Sequence, residues 1–142
     1  MRFSAFVRLT IAAAALAASS LATAAFPDKP IRIVIGFPAG GPLDQHARLL
    51  TDRLQAVLGQ PILIDYKSGA GGTVGAQEVM KAAPDGYTLM LANTGVMVIN
   101  PALYSKLPYS TLKDFTPIAR TAMQPLALLV NPKVPANTLK EF

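Results

Sequence analysis

The sequence predicts an α/β fold in which parallel β-strands alternate with α-helices. Short apolar, β-branched runs alternate along the chain with segments whose apolar residues recur at helical spacing. Glycine, proline and aspartate residues separate these segments. The order strand, helix, strand, helix, strand favours a parallel sheet with right-handed crossovers.

The first strand is predicted at residues 31–37, where "IRIVIGF" is almost unbroken in apolar and β-branched character. Such runs suit a strand that is buried on both faces. A helix is predicted from Leu43 to Leu58, and Gly59 is its expected C-terminal stop. The apolar face of this helix is formed by residues spaced four or three apart: Leu43, Ala47, Leu50, Leu54 and Val57.

The second unit begins with the strand "PILIDY" at 61–66 and continues into a second helix, which "PDG" at 84–86 ends. One face of that helix carries Ala76, Val79, Met80 and Ala83. A third strand is predicted in "YTLMLAN" at 87–93. These elements complete the β-α-β-α-β pattern.

The pattern loosens beyond Thr94. We expect a short helix over 96–103, a turn-rich connection, and two further strands around 117–123 and 126–131. Thr138 and Glu141 have the spacing of a capping box that opens a helix. Because the sequence stops one residue later, we expect it to be the N-terminal portion of a longer protein.

The first 25 residues predict a cleavable export signal instead of a part of the fold. Arg2 and Arg8 give a positive start, residues 9–18 an apolar centre, and small residues the end. Cleavage is expected after Ala24 or Ala25. A membrane anchor would need about 20 consecutive apolar residues, and serines interrupt this run too early.

Composition excludes several classes of protein. Removing Arg2 and Arg8 leaves 11 basic against 8 acidic residues, a charge of +3. The basic residues are spread along the chain without interleaved aromatic residues, so we expect no binding of nucleic acid. With no cysteine and one histidine, we expect no disulfide, no metal site and no cofactor.

Three loops should meet at the carboxyl edge of the sheet, where ligands of open α/β sheets bind. We call them loop A (residues 38–43), loop B (67–72) and loop C (93–96). Loops A and B are rich in glycine and each leads into a helix N-terminus, which favours an anion. The glycine spacing fits neither a dinucleotide fingerprint nor a P-loop, and no nucleophile or paired carboxylates stand out, so we predict no enzyme. For Asp44 the residues alone favour a structural role in the first helical turn over ligand contact.

Four ordered stretches resemble the Bug family, the extracytoplasmic substrate-binding proteins of tripartite tricarboxylate transporters. They are "PIRIVIGFPAGGPLD", "SGAGGTVGAQEVMKAAPDGYTLMLANTG", "INPALYSKLPYSTLKDFTPIA" and "LLVNPKVPANTLKEF". The resemblance implies a hinged, two-domain periplasmic binding protein of type II, a Venus flytrap. It implies that residues 26–122 belong to domain I, and that 123–142 contain the crossover strand and the start of domain II.

The resemblance also implies a function. The protein would capture a small carboxylate in the periplasm and deliver it to the permease subunits of a membrane transporter, as a monomer and without catalysis. It makes ligand contact the preferred role for Asp44. Pro42 stands where the family often has Ser or Thr, and suits the first position of a helix; Ser68 stands where the family usually has Pro. The implied ligand-binding residues are Phe37, Ala39, Gly40, Gly41, Asp44, Gly69, Ala70, Gly71, Thr73, Thr94 and Gly95.

Two alternatives stay open at this point. An exported sensor could pass its ligand-bound state to a signalling partner, and an exported hydrolase is a third class, although its nucleophile and base are not found. If the chain lacks a second domain, we expect it to bind ligand weakly or not at all.

Overall fold

The sheet is parallel and has the central strand that the sequence predicts. The computed structural model describes residues 26–125 and 127–142, so the predicted export signal lies outside the described residues. Three strands, β1 (Ile31–Ile35), β2 (Ile62–Tyr66) and β3 (Thr88–Met90), form the sheet in the order β2-β1-β3. Both pairings are parallel, with Ile31 opposite Ile62 and Arg32 opposite Thr88.

This strand order creates a switch point at the carboxyl ends of β1 and β3. The chain leaves β1 towards β2 and then returns across β1 to reach β3. Right-handed crossovers therefore place the two connecting helices, α1 (Pro42–Leu58) and α2 (Thr73–Met80), on opposite faces of the sheet. A crevice opens where two neighbouring strands send their connections to opposite faces.

Helix α1 starts and ends at the residues that its local sequence predicts. Pro42 occupies the first turn after an extended Gly41, and Gly59 ends the helix in the left-handed conformation with φ 68°. The N–H of Gly59 donates to the carbonyl of Gln55. Each of these positions has a residue-specific reason, because proline lacks an N–H that the first turn does not need and glycine tolerates a positive φ.

The predicted apolar face of α1 is wrong at its C-terminal end. Val57 is 82% exposed, whereas Thr51 is buried and Leu58 is partly buried. A straight α-helix has 3.6 residues per turn, so the positions that face the sheet after Ala47 are 51, 54 and 58. After Ala47 the predicted spacings are three, four and three residues, whereas the observed spacings are four, three and four.

Helix α2 and the strands β1 and β3 are shorter than predicted, and β1 ends at Ile35 instead of Phe37. Helix α2 ends at Met80, so Ala83 lies beyond it and is exposed. Strand β3 spans Thr88–Met90, although the N–H of Leu91 still donates to the carbonyl of Val34. The predicted order of the elements is retained.

The chain after β3 packs a further layer against α2. A π-helical turn, Gly95–Ile99, runs directly into α3 (Asn100–Leu103), and a single turn, α4 (Thr111–Asp114), follows. The Tyr109 hydroxyl donates to the carbonyl of Val96 at 2.5 Å. Val96, Tyr109 and Ala76 form a buried apolar cluster, so the short helix predicted at 96–103 is present and has a π-helical first part.

The two strands predicted around 117–123 and 126–131 are not formed among the described residues. Ile118 and Leu129 are 78% and 87% exposed, and no described strand pairs with either segment. An extended segment needs partners for its N–H and C=O groups before it becomes a strand. The division into domains at residues 122 and 123 stays a prediction.

The predicted capping box forms in part. The Thr138 hydroxyl accepts the N–H of Glu141 at 3.3 Å, while the Glu141 carboxylate accepts the N–H of Asn137 at 2.8 Å. The described residues there form turns and no helix. The helices in the described part of the chain are too short or too polar to cross a membrane.

Candidate functional site

Loop B contacts the carboxyl end of β1 through backbone that has no room for side chains. A Cβ atom added to Gly36 would lie 2.7 Å from the Cα of Gly72 and 2.8 Å from its carbonyl oxygen. A Cβ atom on Gly72 would lie 2.5 Å from Val96, the last residue of loop C. The structure therefore packs loop B against loop C and against Gly36, which lies two residues before loop A.

Loop A presents backbone at its tip and is held from beneath. Ala39 and Gly40 are exposed, while Phe37 and Gly41 are partly buried. Gly40 has φ 84°, and nothing lies within 4 Å of a Cβ atom placed on it. Its N–H donates to Oδ2 of Asp44 at 2.7 Å. The tip is thus fixed by a hydrogen bond instead of by packing.

Asp44 lies behind loop A and has three hydrogen-bond donors. Asp44 is 4% exposed. Besides Gly40, the Tyr66 hydroxyl donates to Oδ1 at 2.6 Å and Arg48 Nε donates to the same oxygen at 2.9 Å. The Tyr66 bond, followed by the Gly40 bond, holds the pKa of Asp44 below its ordinary value. The same contact with Asp44 raises the pKa of Tyr66.

The partners of Asp44 were not predicted. Neither Tyr66 nor Arg48 is among the ligand-binding residues that the resemblance implies. Arg48 follows Asp44 by four residues in α1, a spacing at which side chains on a helix meet. Tyr66 ends β2 at the same edge of the sheet as loop A, which is the signal that a topological argument could have used.

Loop B keeps its shape mainly through its own backbone. The carbonyl of Gly69 accepts the N–H of Gly72 at 2.9 Å and that of Val74 at 3.5 Å, across a 3-10 turn at Ala70–Gly72. All four residues from Gly69 to Gly72 have positive φ, and Ala70, at φ 46°, has a side chain in that region. Thr73, a predicted ligand contact, is buried, whereas Gly69, Ala70 and Gly71 are exposed.

Asn100 fixes loop B from the side and was not predicted. It is buried, and its Nδ2 donates to the carbonyl of Gly71 at 3.0 Å. The π-helical turn ends immediately before Asn100. Such turns shift the residues that follow relative to an α-helical pattern, so helical periodicity gave no signal for this contact.

Loop C closes the third side of the crevice. Asn93 Oδ1 accepts the N–H of Val96 at 3.1 Å. Thr94 is exposed and Gly95 is partly buried. The two predicted contacts in loop C therefore lie after β3, on the other side of the switch point from loop A.

A concavity lies between α1 and the edge strand β2, and its lining includes Arg48 and Tyr66 of the Asp44 cluster. It has a volume of about 530 Å³. Arg48, Thr51 and Asp52 line it from the helix, and Ile62, Leu63, Ile64 and Tyr66 from the strand. Within the described residues, no three His, Cys, Asp or Glu side chains form a group that could hold a metal ion.

Comparison with known proteins identifies relatives of the chain. Residues 46–142 match the model of the TctC family, described as the tripartite tricarboxylate transporter family receptor. The chain is 37% identical to the protein BugT of Bordetella pertussis over 139 residues, which are 97% of this chain and 42% of BugT. The chain spans between 35% and 43% of the length of the curated relatives it matches.

Two solved structures are similar in both sequence and fold. MatC from Rhodopseudomonas palustris with bound malate is 47% identical, with a TM-score of 0.63 over 65% of this chain and 31% of that one. The periplasmic binding protein BugD is 39% identical, with a TM-score of 0.63 over 66% of this chain and 31% of that one. The α/β fold with its parallel sheet is therefore that of periplasmic binding proteins of this type.

Proposed function

The chain belongs to the TctC family, the receptors of tripartite tricarboxylate transporters, and from this membership we propose that it is a periplasmic receptor for a small carboxylate. The receptor binds the solute in the crevice between loops A, B and C and delivers it to the permease subunits of a membrane transporter. It acts by closing on its ligand as a monomer, so that binding energy shifts an equilibrium between open and closed states.

The single observation that carries this proposal is the pair of exposed glycine loops at two helix N-termini. Loop A leads into α1 and loop B into α2, and Gly72 of loop B packs against Gly36, which lies two residues before loop A. The first N–H groups of a helix lack partners within it, and the helix dipole favours negative charge there. Two such ends at one crevice suit one carboxylate group.

The relatives support the chemical class of the ligand. MatC, which shares 47% of its aligned sequence with this chain, is described with bound malate, a dicarboxylate. We propose a carboxylate of similar size here. The binding residues are those predicted from the sequence, with the exposed backbone of Ala39, Gly40, Gly69, Ala70 and Gly71 closest to the ligand and with Phe37, Gly41, Asp44, Thr73, Thr94 and Gly95 around them.

Titration calorimetry on the exported protein tests this function. Malate, together with a monocarboxylate and a tricarboxylate, is compared with malamide, which has the same carbon skeleton without charge. We expect saturable binding of at least one carboxylate and none of malamide. Chemical conversion of the ligand, or equal binding of malamide, would overturn the proposal.

A matched pair of variants at Ala70 tests the location of the site. Asn and Asp both tolerate the left-handed conformation of this residue, so Ala70→Asn and Ala70→Asp differ mainly in charge. We expect Ala70→Asp to weaken carboxylate binding by at least about tenfold relative to Ala70→Asn, because like charges would meet in the crevice. Equal affinities would place the ligand elsewhere.

A further inference from the structure

We propose that Asp44 and Tyr66 are positioning residues of the carboxylate site: Tyr66 holds the Asp44 side chain, and Asp44 holds the tip of loop A through Gly40. This inference rests on the proposed function and assigns Asp44 a role that differs from direct contact with the ligand. It also adds Tyr66, which lies outside the predicted set of binding residues.

The first step is the occupancy of the Asp44 carboxylate. Oδ2 accepts the N–H of Gly40, and Oδ1 accepts both the Tyr66 hydroxyl and Arg48 Nε. The side chain is 5% exposed. The carboxylate group of a ligand has no hydrogen to donate to Asp44, and its negative charge would be repelled by an ionised Asp44. The side chain therefore serves the loop better than it serves the ligand.

The second step is the dependence of loop A on this bond. Gly40 is exposed and has open space around its Cα, so side-chain packing does not fix its backbone. The 2.7 Å hydrogen bond from its N–H joins the tip to the buried side chain of Asp44 in the first turn of α1. An acceptor that is charged makes this one of the stronger types of hydrogen bond.

The third step is the connection of Asp44 to the sheet. Tyr66 is the last residue of β2 and pairs with Ile35 at the end of β1. The N–H of the next residue, Lys67, donates to the carbonyl of Ile35 at 2.9 Å. Tyr66 is thus anchored to the central strand, and its hydroxyl sets the position of Oδ1 relative to loop B, which begins directly after it.

Arg48 has a supporting role in the same cluster. It donates to Asp44 and, through Nη2, to the Tyr66 hydroxyl at 3.1 Å. Its side chain is 63% exposed, so water can replace much of what it supplies. Its positive charge balances the negative charge of Asp44. The cluster therefore adds no net negative charge behind an anion site.

Tyr66→Phe in the exported protein is the decisive variant, because it removes one hydroxyl that is not in the set of ligand contacts. We expect the amide hydrogen of Gly40 to exchange about tenfold faster and the affinity for the bound carboxylate to fall about tenfold. Tyr87→Phe is the matched control. The Tyr87 hydroxyl also donates to a carboxylate, that of Asp28 at 2.6 Å, but it lies at the other end of the sheet, and both readouts should stay at the wild-type value.

The double variant tests whether Tyr66 acts through Asp44, and the single variants separate positioning from direct contact. If Asp44 acts through the loop, Asp44→Asn and Tyr66→Phe remove the same function, and the double variant binds about as weakly as Asp44→Asn alone. If Tyr66→Phe leaves both Gly40 exchange and affinity unchanged while Asp44→Asn abolishes binding, Asp44 contacts the ligand and our inference is wrong.

Hydrogen exchange tests this inference independently of the proposed function. Faster exchange at Gly40 in Tyr66→Phe supports the positioning role even if the wild-type protein binds no carboxylate, a result that would refute the proposed function alone. Unchanged exchange at Gly40 contradicts the positioning role whatever the protein binds.

Discussion

Loops A and B have similar glycine-rich sequences and both lead into helices, but different interactions hold them. Loop A has one residue with positive φ, Gly40, and is held by the carboxylate of Asp44. Loop B has four consecutive residues with positive φ and is held by the carbonyl of Gly69 and the amide of Asn100. Similar composition therefore does not imply similar sensitivity to substitution. Loop A should respond to changes in distant side chains, and loop B to changes in its own backbone.

The largest expected effect tests how closely each loop is packed against its neighbours. Gly72→Ala should lower the free energy of unfolding by about 2 to 5 kcal/mol, because it adds left-handed strain to overpacking. The new methyl group would lie 2.5 Å from Val96 and 3.2 Å from Phe37. Urea denaturation of the exported protein measures this.

Gly40→Ala is the matched variant in loop A. Gly40 also has positive φ, but nothing lies within 4 Å of the added carbon. We expect a loss of only about 1 to 2 kcal/mol from backbone strain. Equal losses in the two variants would show that loop B is not closely packed against its neighbours.

A smaller effect tests the side-chain contact of loop B. Asn100→Ala removes the donor to the Gly71 carbonyl, at a cost of about 0.5 to 1.5 kcal/mol for the lost hydrogen bond. Amide exchange should accelerate across residues 69–72 and stay unchanged at Gly40. Acceleration in both loops would show that they are not held independently.

The smallest expected effect has opposite signs in the two loops. Ala70→Gly should raise the free energy of unfolding by about 0.5 to 1 kcal/mol, since relief of left-handed strain exceeds the added entropy of the unfolded chain. Ala39→Gly relieves no such strain, because Ala70 is the only non-glycine residue with positive φ among the residues that the structure describes. It should lower stability by a similar amount, and thermal unfolding of the two variants measures both signs.

The features that the sequence predicted well depend on local residues. Pro42 and Gly59 delimit α1 because each has a conformational reason to be there, and the apolar run at 31–37 identifies the buried central strand. The convergence of the loops followed from the parallel topology, since carboxyl ends of parallel strands share one edge. The family resemblance, carried by four ordered motifs, was confirmed by the family match.

The features that it missed depend on contacts between elements distant in sequence. The Asp44 network joins residues 22 apart, and the Asn100 contact joins residues 29 apart. Neither spacing belongs to a helical or strand period. The strands expected around 117–131 failed for a related reason, because β propensity describes a segment while a strand also needs a neighbour.

The role of Pro42 shows how far a local argument extends. The sequence assigned it to the start of a helix, and the structure confirms that position. Whether loop A binds a carboxylate depends on three segments that meet only in the folded chain. The order of the strands and helices of the sheet was therefore predictable from local residues, whereas the site required the topology.

A crystal structure of the exported protein with bound malate tests the central claim most directly. Our account predicts that one carboxylate of the ligand lies within about 3.2 Å of backbone N–H groups from both loop A and loop B, with Asp44 still bonded to Gly40 behind them. A ligand bound away from both loops, for example in the groove between α1 and β2, would contradict it.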